Sequence, residues 1–294
     1  MKKGEGTYNL VVIGAGTAGL VTAAGSAALG ARVALIERNK MGGDCLNFGC
    51  VPSKALISSA RLLDRMRHAD KWGLARIDPE FDFQKVFASM RAQRAALAPL
   101  DSEERFESLG VDVFRGEASF LSPHEIAVGA QKLRARNCII ATGSRAAIPA
   151  AIGSSHAPYF TNETIFDELK EKPESLIVVG GGPIGCELGQ MFNRLGVKVT
   201  ILQKGKRLLE KEDPVVSKFV AEMLEAEGVR LLTGAVIEEV RESDAGISLR
   251  SGGEKISATA LLVAAGRQPN VENLNLQKAN VAFTAKEVTV DEHL

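Results

Sequence analysis

The chain has 294 residues, 45% of them hydrophobic, which suits two domains of ordinary size and is too apolar for a disordered chain. Lysine plus arginine and aspartate plus glutamate each count 36, so the formal net charge is zero. That balance removes the simplest electrostatic case for a nucleic-acid or anionic-membrane partner, and neither is expected.

Residues Met1–Thr7 are short and polar, and no apolar run is of signal-peptide form or long enough to span a bilayer, so the expected location is cytoplasmic. Leu10–Ile13 is an apolar run that leads into Gly14-Ala-Gly16-Thr-Ala-Gly19 and then a small-residue stretch to Leu29, which reads as strand, tight turn and helix. Arg32–Ile36 is the next strand and ends at Glu37. Helical patterns follow around Val51–Arg67 and Phe83–Leu109, then a strand at Val111–Phe114. Turn residues near Ser122-Pro123 and Gly129 predict a small antiparallel meander, and Asn137–Gly143 closes the unit.

The order then repeats. Leu176–Val179 is a strand, Gly180-Gly-Gly182-Pro-Ile-Gly185 a turn, and Cys186–Leu195 a helix. Val197–Leu202, a helix over Asp213–Glu227, a strand at Val229–Leu232 and a second meander from about Val236 to Ser257 follow, and Leu261–Gly266 closes the copy. A unit used twice in this order predicts an α/β protein with two Rossmann-like domains. Each has a parallel sheet with helices and a small antiparallel meander. The expected boundaries are 8–150, 151–270 and, from 271 to 294, the start of a return to the first domain.

Both glycine turns lie between a strand and a helix, the context in which the GxGxxG pattern signals a dinucleotide site. The first glycine permits the turn, the second lets backbone approach a pyrophosphate, and the third lets helix and strand pack closely. Glu37 lies 23 residues after Gly14, where an acid can accept hydrogen bonds from ribose hydroxyls. Gln203 lies 23 residues after Gly180 and is followed by Lys204, Lys206 and Arg207. An amide with nearby cations accepts a 2′-phosphate better than a carboxylate does, so the second site is expected to take NADPH in preference to NADH.

Four cysteines are too few for a secreted disulfide scaffold. Cys45 and Cys50 stand in Gly42-Gly-Asp-Cys-Leu-Asn-Phe-Gly-Cys-Val-Pro-Ser-Lys54. In a regular helix their Cα atoms would lie roughly 8–9 Å apart, beyond disulfide reach. A bond between them needs a distorted first turn, which Gly49 and Pro52 permit. No second Cys or His pair has ligand-like spacing, and His68, His124, His156 and His293 are scattered, so no metal site is expected. Cys138, in an apolar strand, and Cys186, in a helix, are read as packing residues.

This segment resembles the active-site signature of the pyridine nucleotide-disulfide oxidoreductases, a family that includes dihydrolipoamide dehydrogenase, glutathione reductase and mercuric reductase. The resemblance covers essentially the whole chain. Ala141-Thr-Gly-Ser144 is similar to the family's flavin-contacting strand end, and Gly266-Arg-Gln-Pro-Asn270 to its second closing motif. The resemblance implies FAD in the first domain and the nicotinamide nucleotide in the second. Cys50 matches the cysteine nearest the flavin, and Cys45 the one that meets substrate. Lys54 matches the lysine beside the flavin, and Glu187 its partner. Cofactor contacts are expected from Gly14, Gly16, Gly19, Glu37, Arg38, Gly43, Ala118, Thr142 and Gly143, and from Gly180, Gly182, Gly185, Gln203, Lys204, Gly266 and Arg267.

The implied activity passes electrons from the nicotinamide through the flavin to the Cys45–Cys50 disulfide, then to a small-molecule or metal-ion substrate. Cys50 is expected to remain a thiolate against the flavin. Gly180–Gly185, Cys186 and Glu187 resemble mercuric-reductase-related sequences more than glutathione reductases, and Pro183 stands where some relatives carry a gating tyrosine. Hg(II) is therefore the first expected substrate and a dithiol such as dihydrolipoamide the second. The family's Gly-Asp flavin motif and its C-terminal dimerisation domain with a His–Glu pair are not found here. The expectation is a truncated chain whose longer parent is a homodimer, and the competing reading is a nucleotide-binding fragment without turnover.

Overall fold

A computed structural model describes residues 3–243 and 246–293; Met1, Lys2, Leu294, and Asp244 and Ala245 of the expected second meander lie outside the described residues. Strand β1 (Thr7–Ile13) leads through the glycine turn to α1 (Thr17–Ala28), followed by β2 (Val33–Glu37). Helices α2 (Gly43–Phe48), α3 (Cys50–Arg67), α4 (Phe83–Leu97) and α5 (Glu103–Ser108) come next, then β3 (Val111–Arg115), β4 (Ala118–Ser122), β5 (Glu125–Val128) and β6 (Gln131–Ile140). The second series is β7 (Ser175–Val179), α6 (Pro183–Arg194), β8 (Lys198–Gln203), α7 (Pro214–Ala226) and β9 (Arg230–Thr233). Strands β10 (Ile237–Ser243), β11 (Gly246–Ser251), β12 (Glu254–Ala258) and β13 (Ala260–Val263) end it.

By packing, the chain forms two compact units: residues 1–50, 94–145 and 268–294, and residues 51–93 and 146–267. These differ from the contiguous boundaries read from the sequence in that the segment 51–93 joins the second unit. Its apolar residues Leu56, Leu63, Phe87 and Met90 share one core with Leu188, Met191 and Phe192.

In the first unit the sheet order is β3-β2-β1-β6-β5-β4. The strands β3, β2, β1 and β6 run parallel, with Leu10 opposite Val33 and Val11 opposite Cys138. Strand β6 is long enough to serve two ladders. Its start pairs antiparallel with β5, Gln131 opposite Val128, and its end pairs parallel with β1, Ile140 opposite Ile13. The expected meander and closing strand are therefore one continuous sheet. The β1 residues Val11 and Val12 face opposite sides and are both fully buried, which is why the strand reads as an unbroken apolar run.

The second unit has the parallel order β9-β8-β7-β13 and, as a separate sheet, the antiparallel meander β10-β11-β12. The helix expected from Phe83 to Leu109 is interrupted. Pro99 removes a donor after α4, and the Ser102 hydroxyl caps α5 by accepting the Arg105 amide at 3.2 Å. Among the described residues no helix is long and apolar enough to cross a membrane.

Phe192 is fully buried, and its ring centroid lies 6.4 Å from that of Phe87, which stacks at 4.6 Å on Phe83. Phe192→Ala removes the ring from a core with no solvent access and should destabilise the second unit by about 3–5 kcal/mol. Urea unfolding followed by circular dichroism measures it.

Candidate functional site

In the first unit the glycine turn begins where β1 ends. The Gly14 amide donates to the Ile36 carbonyl at 2.8 Å, and Gly14 has φ +107°. A Cβ on Gly14 would stand 2.3 Å from the Ala141 carbonyl oxygen, so only glycine lets the turn close against the end of β6. A Cβ on Gly19 would fall 1.8 Å from the Gly14 oxygen, which makes it the residue of helix–strand packing. Gly43 lies against the same turn, its Cβ position 2.5 Å from the Gly16 Cα. Gly16 caps α1 with no side-chain hydrogen bond, so the first helical amides have no capping side chain.

Glu37 is 8% exposed and ends β2 beside this turn. Its Oε2 accepts the Ala15 amide at 2.7 Å and its Oε1 the Asn39 amide at 2.6 Å. Glu37, Gly14, Arg38, Ala118 and Thr142 line one cleft, together with Asn270, Glu272 and Asn273. The last two were not read as site residues, because no motif marks them. They reach the cleft because Asn270 and Thr142 are mutually bonded. The Thr142 hydroxyl donates to the Asn270 carbonyl at 2.8 Å, and Asn270 Nδ2 returns to the Thr142 carbonyl at 2.9 Å. Arg145 bonds Glu272 at 2.8 and 3.1 Å and Asn270 Oδ1 at 2.9 Å, and this guanidinium holds the Glu272 carboxyl down at about 2. Gly143 accepts the Asn270 amide at 3.0 Å but does not line the cleft. The glycine turn, uncapped helix start and buried acid together fit an adenine dinucleotide such as FAD.

The cysteine pair lies in this unit too. Helix α2 carries Cys45 and ends at Gly49, whose backbone at φ −131°, ψ −109° leaves the helical path before α3 restarts at Cys50. This is the distortion that the five-residue spacing requires. Both cysteines are thiols here, Cys45 half-buried and Cys50 exposed. The Cys45 thiol is pushed up from its ordinary value by burial and then by the hydrogen-bonding Cys50 sulfur, while a hydrogen bond from the Thr17 hydroxyl pulls it down. Thr17 was not singled out from the sequence. Only the fold, which lays the start of α1 against the start of α2, brings it to the thiol.

Burial alone pushes the Cys138 thiol up to about 11, and burial with the neighbouring Glu187 charge does the same for Cys186. Neither yields an appreciable thiolate at neutral pH.

The second unit repeats the turn. The Gly180 amide donates to the Leu202 carbonyl at 2.7 Å, and a Cβ on Gly180 would stand 2.1 Å from the Ala264 oxygen. Gly185 packs on Gly180 as Gly19 does on Gly14, with 1.9 Å to the oxygen. Gly182 differs: nothing lies within 4 Å of its Cβ position, leaving space in front of the α6 N-terminus, where Pro183 fills a position that needs no donor. Gln203 Oε1 accepts the Gly181 amide at 2.8 Å, the same task that Glu37 performs for Ala15. Gly180, Gln203 and Lys204 line a cleft of about 820 Å³ with Glu210, a volume that suits a nucleotide. Gly266 accepts the Ala147 amide, and neither it nor Arg267 lines this cleft.

Lys54 and Glu187, from α3 and α6, form an ion pair at 2.6 Å with side chains 58% and 43% exposed. A pair so exposed contributes about 0–1 kcal/mol to stability, so stability is a poor reason for its presence. Among the described residues no group of three His, Cys, Asp or Glu side chains could hold a metal ion.

Residues 8–294 match the family described as pyridine nucleotide-disulphide oxidoreductase. A mercuric reductase from Staphylococcus aureus is 36% identical over 99% of this chain and 54% of its own length. A dihydrolipoyl dehydrogenase from Bacillus subtilis is 35% identical over 97% of this chain and 64% of its own. Among solved structures, the HOCl-induced flavoprotein disulfide reductase RclA from Escherichia coli superposes with a TM-score of 0.83 at 29% identity, covering 97% of this chain and 62% of that one. The chain thus spans between about half and two thirds of the length of the relatives it matches.

The two roles of glycine in the second turn are separable. Gly180→Ala should lower the melting temperature, because its Cβ meets backbone. Gly182→Ala should leave melting unchanged and abolish nucleotide binding, because its Cβ occupies the space before the helix. Calorimetric melting and titration on the two variants check this. For the cysteines, Cys50→Ala removes two of the three influences that raise the Cys45 thiol. Its pKa should fall towards the ordinary cysteine value, read from the pH dependence of Cys45 alkylation.

Proposed function

Because the chain belongs to the pyridine nucleotide-disulphide oxidoreductase family, we propose that it is a flavoenzyme core that oxidises a reduced nicotinamide nucleotide and delivers the electrons at Cys45 and Cys50. The observation that carries this reading is the half-buried Cys45 thiol within hydrogen-bonding reach of Cys50, across the helix break at Gly49, in the unit that holds the Glu37 cleft. FAD, when bound, supplies a two-electron acceptor for hydride and a donor to a disulfide. The residues proposed to hold it are Gly14, Gly16, Gly19, Glu37, Arg38, Gly43, Ala118, Thr142 and Gly143. Glu37 keeps its carboxylate at the ribose end through two backbone amides, and the α1 N-terminus offers its amides to phosphate.

The nicotinamide nucleotide is assigned to the cleft lined by Gly180, Gln203 and Lys204, with Gly182 and Gly185 in the glycine turn beside it and Gly266 and Arg267 beyond the end of β13 as the further proposed contacts. Gln203 and the cations after it favour NADPH when the local sequence is read alone, and the folded cleft adds the carboxylate of Glu210, which weighs the other way.

At the cysteines, the chemistry belongs to the chain. The Thr17 hydroxyl, donating to the Cys45 sulfur, favours loss of its proton against the opposing effect of burial. Cys45 is the thiol assigned to substrate and Cys50 the one assigned to the flavin side. Lys54, fixed by Glu187, places an ammonium one turn along the helix that Cys50 opens. The substrate proposed is Hg(II), as in the S. aureus relative. The net reaction reduces it to Hg(0) while the nicotinamide is oxidised and a proton released. A dithiol substrate is the second reading, favoured by the similarity to the B. subtilis dihydrolipoyl dehydrogenase. A working dithiol pair suits a reducing compartment, and the cytoplasm is the location proposed.

The test is nicotinamide oxidation by the FAD-supplemented chain with Hg(II) as acceptor. Cys45→Ser and Cys50→Ser should each bring the Hg(II)-dependent rate to background, while reduction of a direct flavin acceptor such as ferricyanide persists. Hg(II) turnover that survives both substitutions removes the cysteines from the mechanism. Turnover with lipoamide and none with Hg(II) selects the dithiol reading, and a chain that takes up no FAD is a nucleotide-binding fragment without turnover.

A further inference from the structure

We propose that the second nucleotide cleft is specific for a nicotinamide dinucleotide whose adenosine ribose carries a free 2′-hydroxyl, and that Glu210 is the residue that sets this choice. The proposal rests on the assignment of a nicotinamide nucleotide to that cleft and reverses the preference for a 2′-phosphate drawn from the local sequence.

The sequence argument for NADPH counts an amide at the end of β8 and three cations after it. In the folded chain that count changes. Gln203 is committed at both ends: its Oε1 accepts the Gly181 amide at 2.8 Å, and its Nε2 donates to Glu210 Oε2 at 3.1 Å. The carboxylate that the strand end lacks is thus returned in space, by a residue seven positions along the chain. Gly205 is what admits it, since a Cβ there would stand 1.8 Å from Glu210 Oε1.

Arg207 is committed as well. Its Nη1 donates to the Glu212 carbonyl at 2.9 Å and its Nη2 to the Glu210 carbonyl at 2.7 Å. That guanidinium therefore holds the loop in the shape that presents Glu210, and does not face the cleft. Among the described residues lining the cleft the one cation is Lys204 and the one carboxylate is Glu210.

A 2′-phosphate would bring about 1.5–2 negative charges beside that carboxylate. One lysine offsets part of this. A 2′-hydroxyl would instead donate a hydrogen bond to a carboxylate oxygen, as it does to the acid at the end of the second strand in dinucleotide folds generally. Gln203 and Glu210 together do in the second unit what one residue, Glu37, does in the first.

Isothermal titration of the 294-residue chain with NAD⁺ and with NADP⁺ tests this. NAD⁺ should bind about tenfold tighter or more, the scale of one like-charge contact at a partly exposed site. Glu210→Gln should narrow the ratio by strengthening NADP⁺, and Glu210→Lys should invert it. Glu210 is exposed, so neither variant threatens folding. NADP⁺ bound more tightly by the unsubstituted chain, or a ratio indifferent to both substitutions, overturns the inference and leaves the nucleotide assignment standing. Binding of neither nucleotide overturns the assignment itself, and the inference with it.

Discussion

Each unit is organised around one close approach of backbone to backbone. At Gly14 and Gly180 the chain leaves a central parallel strand and turns against the carbonyl of the closing strand, with no room for a side chain. The turn then enters a helix without a side-chain cap, and the end of the neighbouring strand brings a polar side chain to the turn's next amide. Loop, helix start and strand end converge because the strands are parallel and in register, Ile13 beside Ile36 and Val179 beside Leu202. Loss of that approach would take from Glu37 and Gln203 the turn amides they hold and leave the helix amides with no common focus.

The same construction used twice has diverged where the chemistry differs. Glu37 is buried, and both of its carboxylate oxygens accept backbone amides, so the side chain is part of the fold. Gln203 does the amide-binding work without charge, which leaves the sign of the cleft to be set by residues that reach it from the following loop. The first unit alone adds a pair of thiols. There a helix is stopped and restarted at Gly49, which turns a spacing unsuited to contact in a regular helix into adjacent sulfurs. Burial and the second sulfur oppose ionisation of Cys45, and the Thr17 hydroxyl favours it. Cys138 and Cys186, pushed up to about 11 chiefly by burial, have no such hydroxyl to favour ionisation.

Much of the architecture was legible in the residues, for identifiable reasons. Strands buried on both faces read as unbroken apolar runs, the first and last glycines of each turn are imposed by backbone contacts that leave no room for a Cβ, and the repeat of strand, turn and helix declares two α/β units. The Cys45–Cys50 segment stood out by its resemblance to the family signature, and a bond between the two, if they pair, would need the kind of helix break that the backbone shows at Gly49. What escaped the sequence was whatever depends on contacts between distant positions. The segment 51–93 is an amphipathic helix pair whose pattern shows that it buries a face but not which core receives it. The length of β6, which fuses the first meander to the parallel sheet, is hidden because one strand changes partners midway. Asn273 and Glu272 reach the first cleft only through the bonds of Asn270 and Arg145, and Thr17 meets Cys45 only because α1 starts against α2. Glu210 is the clearest case. Residue order alone shows that a polar, cation-rich turn follows β8. It takes the folded loop to turn Arg207 to carbonyls and Glu210 to the Gln203 amide, because charge along a chain carries no direction until the backbone is set.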